Sequence, residues 1–382
     1  MSDTSRPWWQ SWTVIAPPIA FVVLLLTFGR HIPVWLAVLI AAVLVVAVLA
    51  AVHHAEVVAH RVGEPFGSLL LAIAVTVIEV ALIVTLMISG EDGAASLARD
   101  TVFAAVMITT NGIVGISLFT GSLRSGLAVF NPEGTGAALA TVTALSALSL
   151  VLPTFTSTPG PRFSGAQLTF AALASIALYA MFVSTQTGRH RGDFLPVSTP
   201  AAGAPTTETV LSADSGSSPA GHDEAHPATP SSRAALLSLG LLLVALVDVV
   251  GLAKVESHSI ESAVHAAGAP PSFVGVVIAL LVLAPETLAA VRAARRDQVQ
   301  ISLNLGYGSA MASIGLTIPA IAVASIWLKG PLLLGLGATQ LVLLTLTVAV
   351  SILTVVPGRA TRLQGGIHLV LLAAFVFLAV KP

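Results

Sequence analysis

The chain has 382 residues and a formal net charge of −1, with 55% hydrophobic and only 9% charged residues. A soluble domain carries about a quarter charged residues, and no fold of this length can hide so much apolar surface from water, so lipid must be its solvent. The lack of cysteine excludes disulfides and thiolate metal sites, and no basic block points to nucleic acid.

A membrane-crossing helix needs about 20 mostly apolar residues. The N-terminal MSDTSRPWWQSW carries one arginine, and the apolar run after it leads into Gly29-Arg30-His31-Ile32-Pro33 and another apolar run instead of the small-residue cleavage site of a signal peptide. Trp8, Trp9 and Trp12 therefore read as interfacial anchors for a retained first span at 13–29. Spans follow near 33–53, 66–89, 100–123, 134–152 and 166–187. Residues 188–233 form a Pro/Ala/Ser/Gly/Thr tract without apolar periodicity and read as a flexible linker. Five more spans are expected near 234–254, 271–293, 300–327, 331–356 and 363–380, with the Gly- and Ser-rich 300–327 expected to be broken.

The expected fold is an all-α integral membrane protein of about 11 transmembrane helices. A leading segment, 1–32, precedes two five-helix repeats at 33–187 and 234–382. Five is odd, so the second set enters from the opposite side and the repeat is inverted. Lys and Arg number 11 on the side of the N-terminus and linker and 6 on the other. That excess orients the N-terminus and linker to the cytoplasm and the C-terminus outside, in the cell (inner) membrane.

The repeats share a pattern. In 63–84 a Gly-x-Pro loop opens a helix that runs apolar to Glu79, and in 268–297 a Gly-x-Pro-Pro loop opens one that runs to Glu286. Each is followed by a helix in which small and polar residues replace aliphatic ones. Glu79 lies 13 residues after Phe66 and Glu286 lies 15 after Pro271, which places each about 20 Å along its helix, inside the hydrocarbon. A carboxylate there costs about 2.5–3.5 kcal/mol or more, so it faces protein, a cavity or an ion. One carboxylate cannot hold a proton and a cation together, which is the chemical basis of antiport. Two close together suit one divalent cation exchanged for protons.

Neutral oxygens are available near both. Asn111 sits beside Gly112 and Gly115, where backbones approach closely. Ser309 and Ser313 lie in the matching helix, Asn304 lies one turn or more before them, and Thr76 shares a helix face with Glu79. Pro285 loosens the backbone beside Glu286. Such an all-oxygen set suits Ca²⁺, Na⁺ or K⁺. Gly and Ser stripes in membrane helices also serve simply as packing faces. His53, His54, Glu56, His60 and Glu64 form a polar cluster that reads as a solvated helix end, with metal binding or pH sensing as the other reading. Asp248 stands inside an apolar span, where it can pair with Lys254 or serve proton access.

The stretch AEVVAHRVGEPFGSLLLAIAVTVIEVALIV and the helix pair around Glu286 resemble the cation/Ca²⁺ exchanger superfamily, within it the Ca²⁺/H⁺ exchanger branch. The resemblance covers nearly the whole chain. It implies that Glu79 and Glu286 bind Ca²⁺ and carry the exchanged protons, with Asn111 as the amide of the first repeat. Two positions depart from that pattern. Thr76-Val77-Ile78 stands where the family has an Asn before the first glutamate, and Ala312 replaces an amide in the second repeat. Fewer neutral ligands weaken the implied Ca²⁺ preference and leave Na⁺ or K⁺ open.

The expected function is a secondary cation/proton antiporter working by alternating access, moving Ca²⁺, Na⁺ or K⁺ against H⁺ without a cofactor. A membrane-embedded enzyme would need a nucleophile motif, nucleotide loop or H-E-x-x-H pair, none of which occurs. A passive cation channel would conduct without proton coupling.

Overall fold

The structure is a computed structural model describing residues 12–30, 32–63, 66–89, 93–197, 230–328 and 330–382. Trp8, Trp9, Glu64 and most of the linker lie outside the described residues. Among those described, eleven helical spans follow one another. The leading helix is α1 (Trp12–Thr27). The first repeat holds α2 (Val34–Val62), α3 (Phe66–Ser89), the pair α4 (Leu97–Met107) and α5 (Val114–Ser125), the pair α6 (Pro132–Ser146) and α7 (Leu152–Phe155), and α8 (Gly165–Thr187). The second holds α9 (Ser232–Ala266), α10 (Phe273–Arg295), α11 (Val299–Ala324), α12 (Ala338–Val355) and α13 (Arg362–Val380).

Nine of these spans are long and apolar enough to cross a membrane, and α1 and α3 supply shorter apolar stretches. Their outer faces carry large exposed apolar side chains, such as Trp35, Leu353 and Leu363, each more than 70% exposed. In water such a belt would be prohibitive; in hydrocarbon it is the solvated surface.

Local chemistry sets several boundaries. Asn131 caps α6 by accepting from the Glu133 N–H at 2.9 Å, with Pro132 opening the helix. Ser164 and Gln167 form a reciprocal cap on α8. The turns after α5 and α12 meet in a two-residue antiparallel pair, β1 (Ala128–Val129) with β2 (Arg359–Ala360), which ties the repeats together at the linker side.

The helices depart from the expected spans in three places. α11 is continuous rather than broken; the irregular backbone lies instead in the first repeat, where π turns at Ile108–Ile113 and Ala147–Val151 interrupt two spans. α2 and α9 continue well past the apolar core to Val62 and Ala266. Residues 331–337, apolar enough to read as the start of a span, are not helical. Their backbone pairs elsewhere: Leu333 N–H donates to Ala95 O at 2.9 Å, Gly335 N–H to Pro161 O at 2.8 Å and Leu336 N–H to Leu150 O at 3.0 Å. Those bonds satisfy donors that a helix would otherwise have to satisfy.

Two apolar clusters form the interior. One joins α4 and α5 to α8, α11, α12 and α13; the other joins α1, α2 and α9 to the outer faces of α3 and α10. Between them, α3, α10 and α11 converge with α8 on a cavity.

Candidate functional site

The cavity holds about 260 Å³ and is lined from α3, α8, α10 and α11. Gln186 and Thr187 at the end of α8 and Asn304 early in α11 form its mouth, on the side where the linker leaves and returns. Thr76, Ala312 and Ser313 line its depth, and Glu79 and Glu286 both face it. Beyond Glu79, Ile83 and Leu86 of α3, Ile278 of α10 and Ile318 of α11 are buried, so among the described residues the lining of the cavity lies toward the linker side.

The inverted repeats explain the placement. Glu79 lies 13 residues in from the linker-side end of α3, and Glu286 lies 13 residues in from the opposite end of α10, about 20 Å along each helix. Two helices running in opposite senses thus bring their carboxylates to one space. Glu79 is 4% exposed, and Ser313 Oγ donates to its Oε1 at 2.7 Å. Thr317, one turn further along α11, comes beside the same carboxylate without a hydrogen bond of normal geometry. Glu286 is less enclosed, yet its Oε2 is buried with no hydrogen-bond partner. The two carboxylates are near enough for their charges to repel, and a shared cation or bound protons relieve that repulsion.

The other predicted residues divide. Thr76 lines the cavity, but its hydroxyl donates to Ala72 O at 2.8 Å, leaving only its lone pairs for a cation. Ser309 lines the wall. Asn304 stands at the mouth, with Nδ2 donating to Phe194 O at 2.7 Å and Oδ1 accepting from Gln300 Nε2 at 2.9 Å. Asn111 is not brought to the cavity: the π turn aims it at α12 and α13, where its Nδ2 donates to Thr347 Oγ1 at 2.9 Å.

Asp248 is fully buried in α9 with neither carboxyl oxygen hydrogen-bonded. It does not pair with Lys254, whose ammonium lies 5.9 Å from the Phe28 ring centroid. His60 is exposed on α2, near half-buried Glu56, which in turn lies near Arg292 and Glu286. His54 is buried, with Nε2 at 2.9 Å from Thr13 O. Among the described residues no three His, Asp or Glu side chains assemble as a metal-ligand group; Glu64 of the predicted cluster lies outside the described residues.

Sequence reasoning missed Thr317 and the whole α8 wall, including Tyr179 and Phe182. Thr317 was within reach, being four residues after Ser313 and so on the same helix face. The α8 wall was not, because its residues are ordinary apolar ones placed there by tertiary packing.

The model of the family described as sodium/calcium exchanger protein matches residues 32–188 and 237–381. This chain belongs to that family. The two matched stretches correspond to the two repeats, and each contains one of the cavity glutamates. Among curated relatives, the chain is 42% identical to the putative ionic transporter y4hA of Sinorhizobium fredii (strain NBRC 101917 / NGR234), over 97% of this chain and 96% of that one. It is 33% identical to the sodium-potassium/proton antiporter ChaA of Escherichia coli (strain K12), over 95% and 94% of the two chains. Among solved structures it resembles native YfkE, with a TM-score of 0.68 at 17% identity, covering 97% of this chain and 99% of the other. At that identity the likeness speaks for the exchanger fold alone. Family membership makes the chain a multi-pass membrane antiporter whose cargo is cations.

Proposed function

We propose that the chain is a secondary active cation/proton antiporter in which Glu79 and Glu286 alternately hold a cation and protons. The observation that supports this most is that one 260 Å³ cavity takes a glutamate from each inverted repeat, with the rest of its lining toward the linker side. The cation enters from the linker side, which by charge distribution is the cytoplasm. There it displaces protons from the two carboxylates and takes further oxygens from Ser313, Ser309 and Thr76. Rocking of the repeats closes the mouth and opens the far side, where protons compete the cation off. No cofactor takes part.

Ca²⁺ is the favoured cargo, since two neighbouring carboxylates match a divalent charge. A second reading, monovalent exchange of Na⁺ or K⁺ for H⁺, has support of its own. ChaA, related over nearly the full length, is by name a sodium-potassium/proton antiporter, and this cavity contains Ala312 where an amide would strengthen Ca²⁺ coordination.

Purified protein in liposomes with an acidic interior and an internal pH dye tests the proposal. External Ca²⁺, Na⁺ or K⁺ is expected to alkalinise the interior, with the largest response identifying the cargo. A cation flux without any proton response would replace antiport with channel conduction.

A further inference from the structure

A second polar cluster joins the repeats inside the bundle, away from the cavity. His368 of α13 is fully buried, with Nδ1 at 3.1 Å from Asn111 Oδ1 and Nε2 at 3.3 Å from Thr354 Oγ1. Asn111 Nδ2 donates to Thr347 of α12, so its oxygen is the group facing His368 and the imidazole Nδ1–H is the donor. The cluster therefore fastens the first repeat's π turn to the last two helices of the second repeat.

The fastening has a counterpart that lacks it. A Cβ on Gly115 of α5 would lie 2.9 Å from His368 Cβ, and one on Gly315 of α11 would lie 2.9 Å from Tyr179 Cβ of α8. The two helix crossings thus match, but their chemistry differs. α11 is regular, and Ser313 reaches Glu79 in the cavity. Its partner helix carries the π turn, Asn111 is drawn toward α13, and Glu286 Oε2 is left without a donor. Alternating access moves one repeat against the other about a fixed site. The symmetry of the repeats points to an opposite-facing state in which α4 and α5 take the regular form, Asn111 turns toward Glu286, and its bond to His368 breaks.

We propose that His368 is a positioning residue, a latch that holds the Asn111 amide against α12 and α13 and so favours the state open to the linker side. The inference rests on the exchange function proposed above. The apparent KM for the cation on each side is the intrinsic constant divided by the fraction of molecules open to that side. The ratio of the linker-side KM to the opposite-side KM therefore reads the balance between the two states, whatever its starting value.

The test measures that ratio for full-length protein in oriented liposomes. His368→Ala is expected to raise it about five-fold, the change that loss of one buried hydrogen bond produces. His368→Gln, which retains an N–H for Asn111, is expected to return it at least halfway. Should His368→Ala not fold, Thr347→Val removes the α12 partner of the Asn111 amide and is expected to shift the ratio in the same direction. An unchanged ratio in a variant that still exchanges overturns the latch and leaves the antiport reading intact, as does a shift that His368→Gln fails to reverse. Wild-type protein that does not exchange at all overturns both.

Discussion

The helices that follow Glu79 and Glu286 occupy matching places in the two repeats, yet only one presents its polar residue to the cavity. α11 is a regular helix whose Ser313 donates to Glu79. The helix of α4 and α5 inserts a π turn at Ile108–Ile113 and gives its Asn111 to Thr347 and His368. A π turn adds a residue to the helical circuit and rotates the side chains around it, so the same order of small and polar residues yields two orientations. The lesson is that an inverted repeat fixes where the carboxylates go, while helix regularity decides which neutral oxygens join them.

Packing gives the sharpest way to break that comparison. A Cβ on Gly365 would lie 2.5 Å from Phe119 N and 2.9 Å from Gly115 O, whereas a Cβ on Gly308 meets nothing within 4 Å. Gly365→Val is expected to leave no monodisperse protein on size-exclusion chromatography in detergent, and Gly308→Ala to leave the yield unchanged. Comparable yields for the two would mean that the α5–α13 contact is not held as described.

Next in size is the hydrogen bond to Glu79. A hydrogen bond to a charged group contributes about 1.5–3 kcal/mol, so Ser313→Ala is expected to slow liposome exchange by about ten-fold or more. Ser309→Ala, which removes a wall hydroxyl away from that bond, is expected to change it by less than about three-fold. Equal losses would mean that the bond to Glu79 does not set Ser313 apart from the other wall hydroxyls.

Smaller effects sharpen the account of the neutral ligands. The Thr76 hydroxyl proton is committed to Ala72 O, so Thr76→Val is expected to alter the exchange rate by no more than about three-fold. Ala312→Gln adds an amide to the cavity wall and is expected to raise the preference for Ca²⁺ over K⁺ by about two- to five-fold, roughly one neutral hydrogen-bonding group's worth. Competition between the two ions in the same liposomes measures it. An unchanged preference would remove this position from cation selection.

Much of this architecture was legible in the chain. Apolar runs of spanning length located the eleven spans, because lipid leaves a helix few alternatives to satisfying its backbone internally. Glu79 and Glu286 stood out because a carboxylate in an apolar run is too costly to be incidental. The π turn at Asn111 was not legible, since no local residue pattern marks it; Gly112 and Gly115 on either side of its end pack closely against α13. The non-helical 331–337 segment was misread for a related reason: its composition is that of a span, and its bonds to Ala95, Pro161 and Leu150 lie far away in sequence. His368 stands in an apolar run, a signal of its own kind, but its role was not legible because its partners lie far away in sequence, on the π turn and on α12.

The central claim is that one site built from both repeats holds either a cation or protons. It is tested most directly by adding Ca²⁺, Na⁺ and K⁺ in turn to purified protein in weakly buffered detergent and recording the pH. Wild-type protein is expected to release protons as its cargo binds, and Glu79→Gln and Glu286→Gln are each expected to lose that release. Undiminished release in either variant would contradict a shared site.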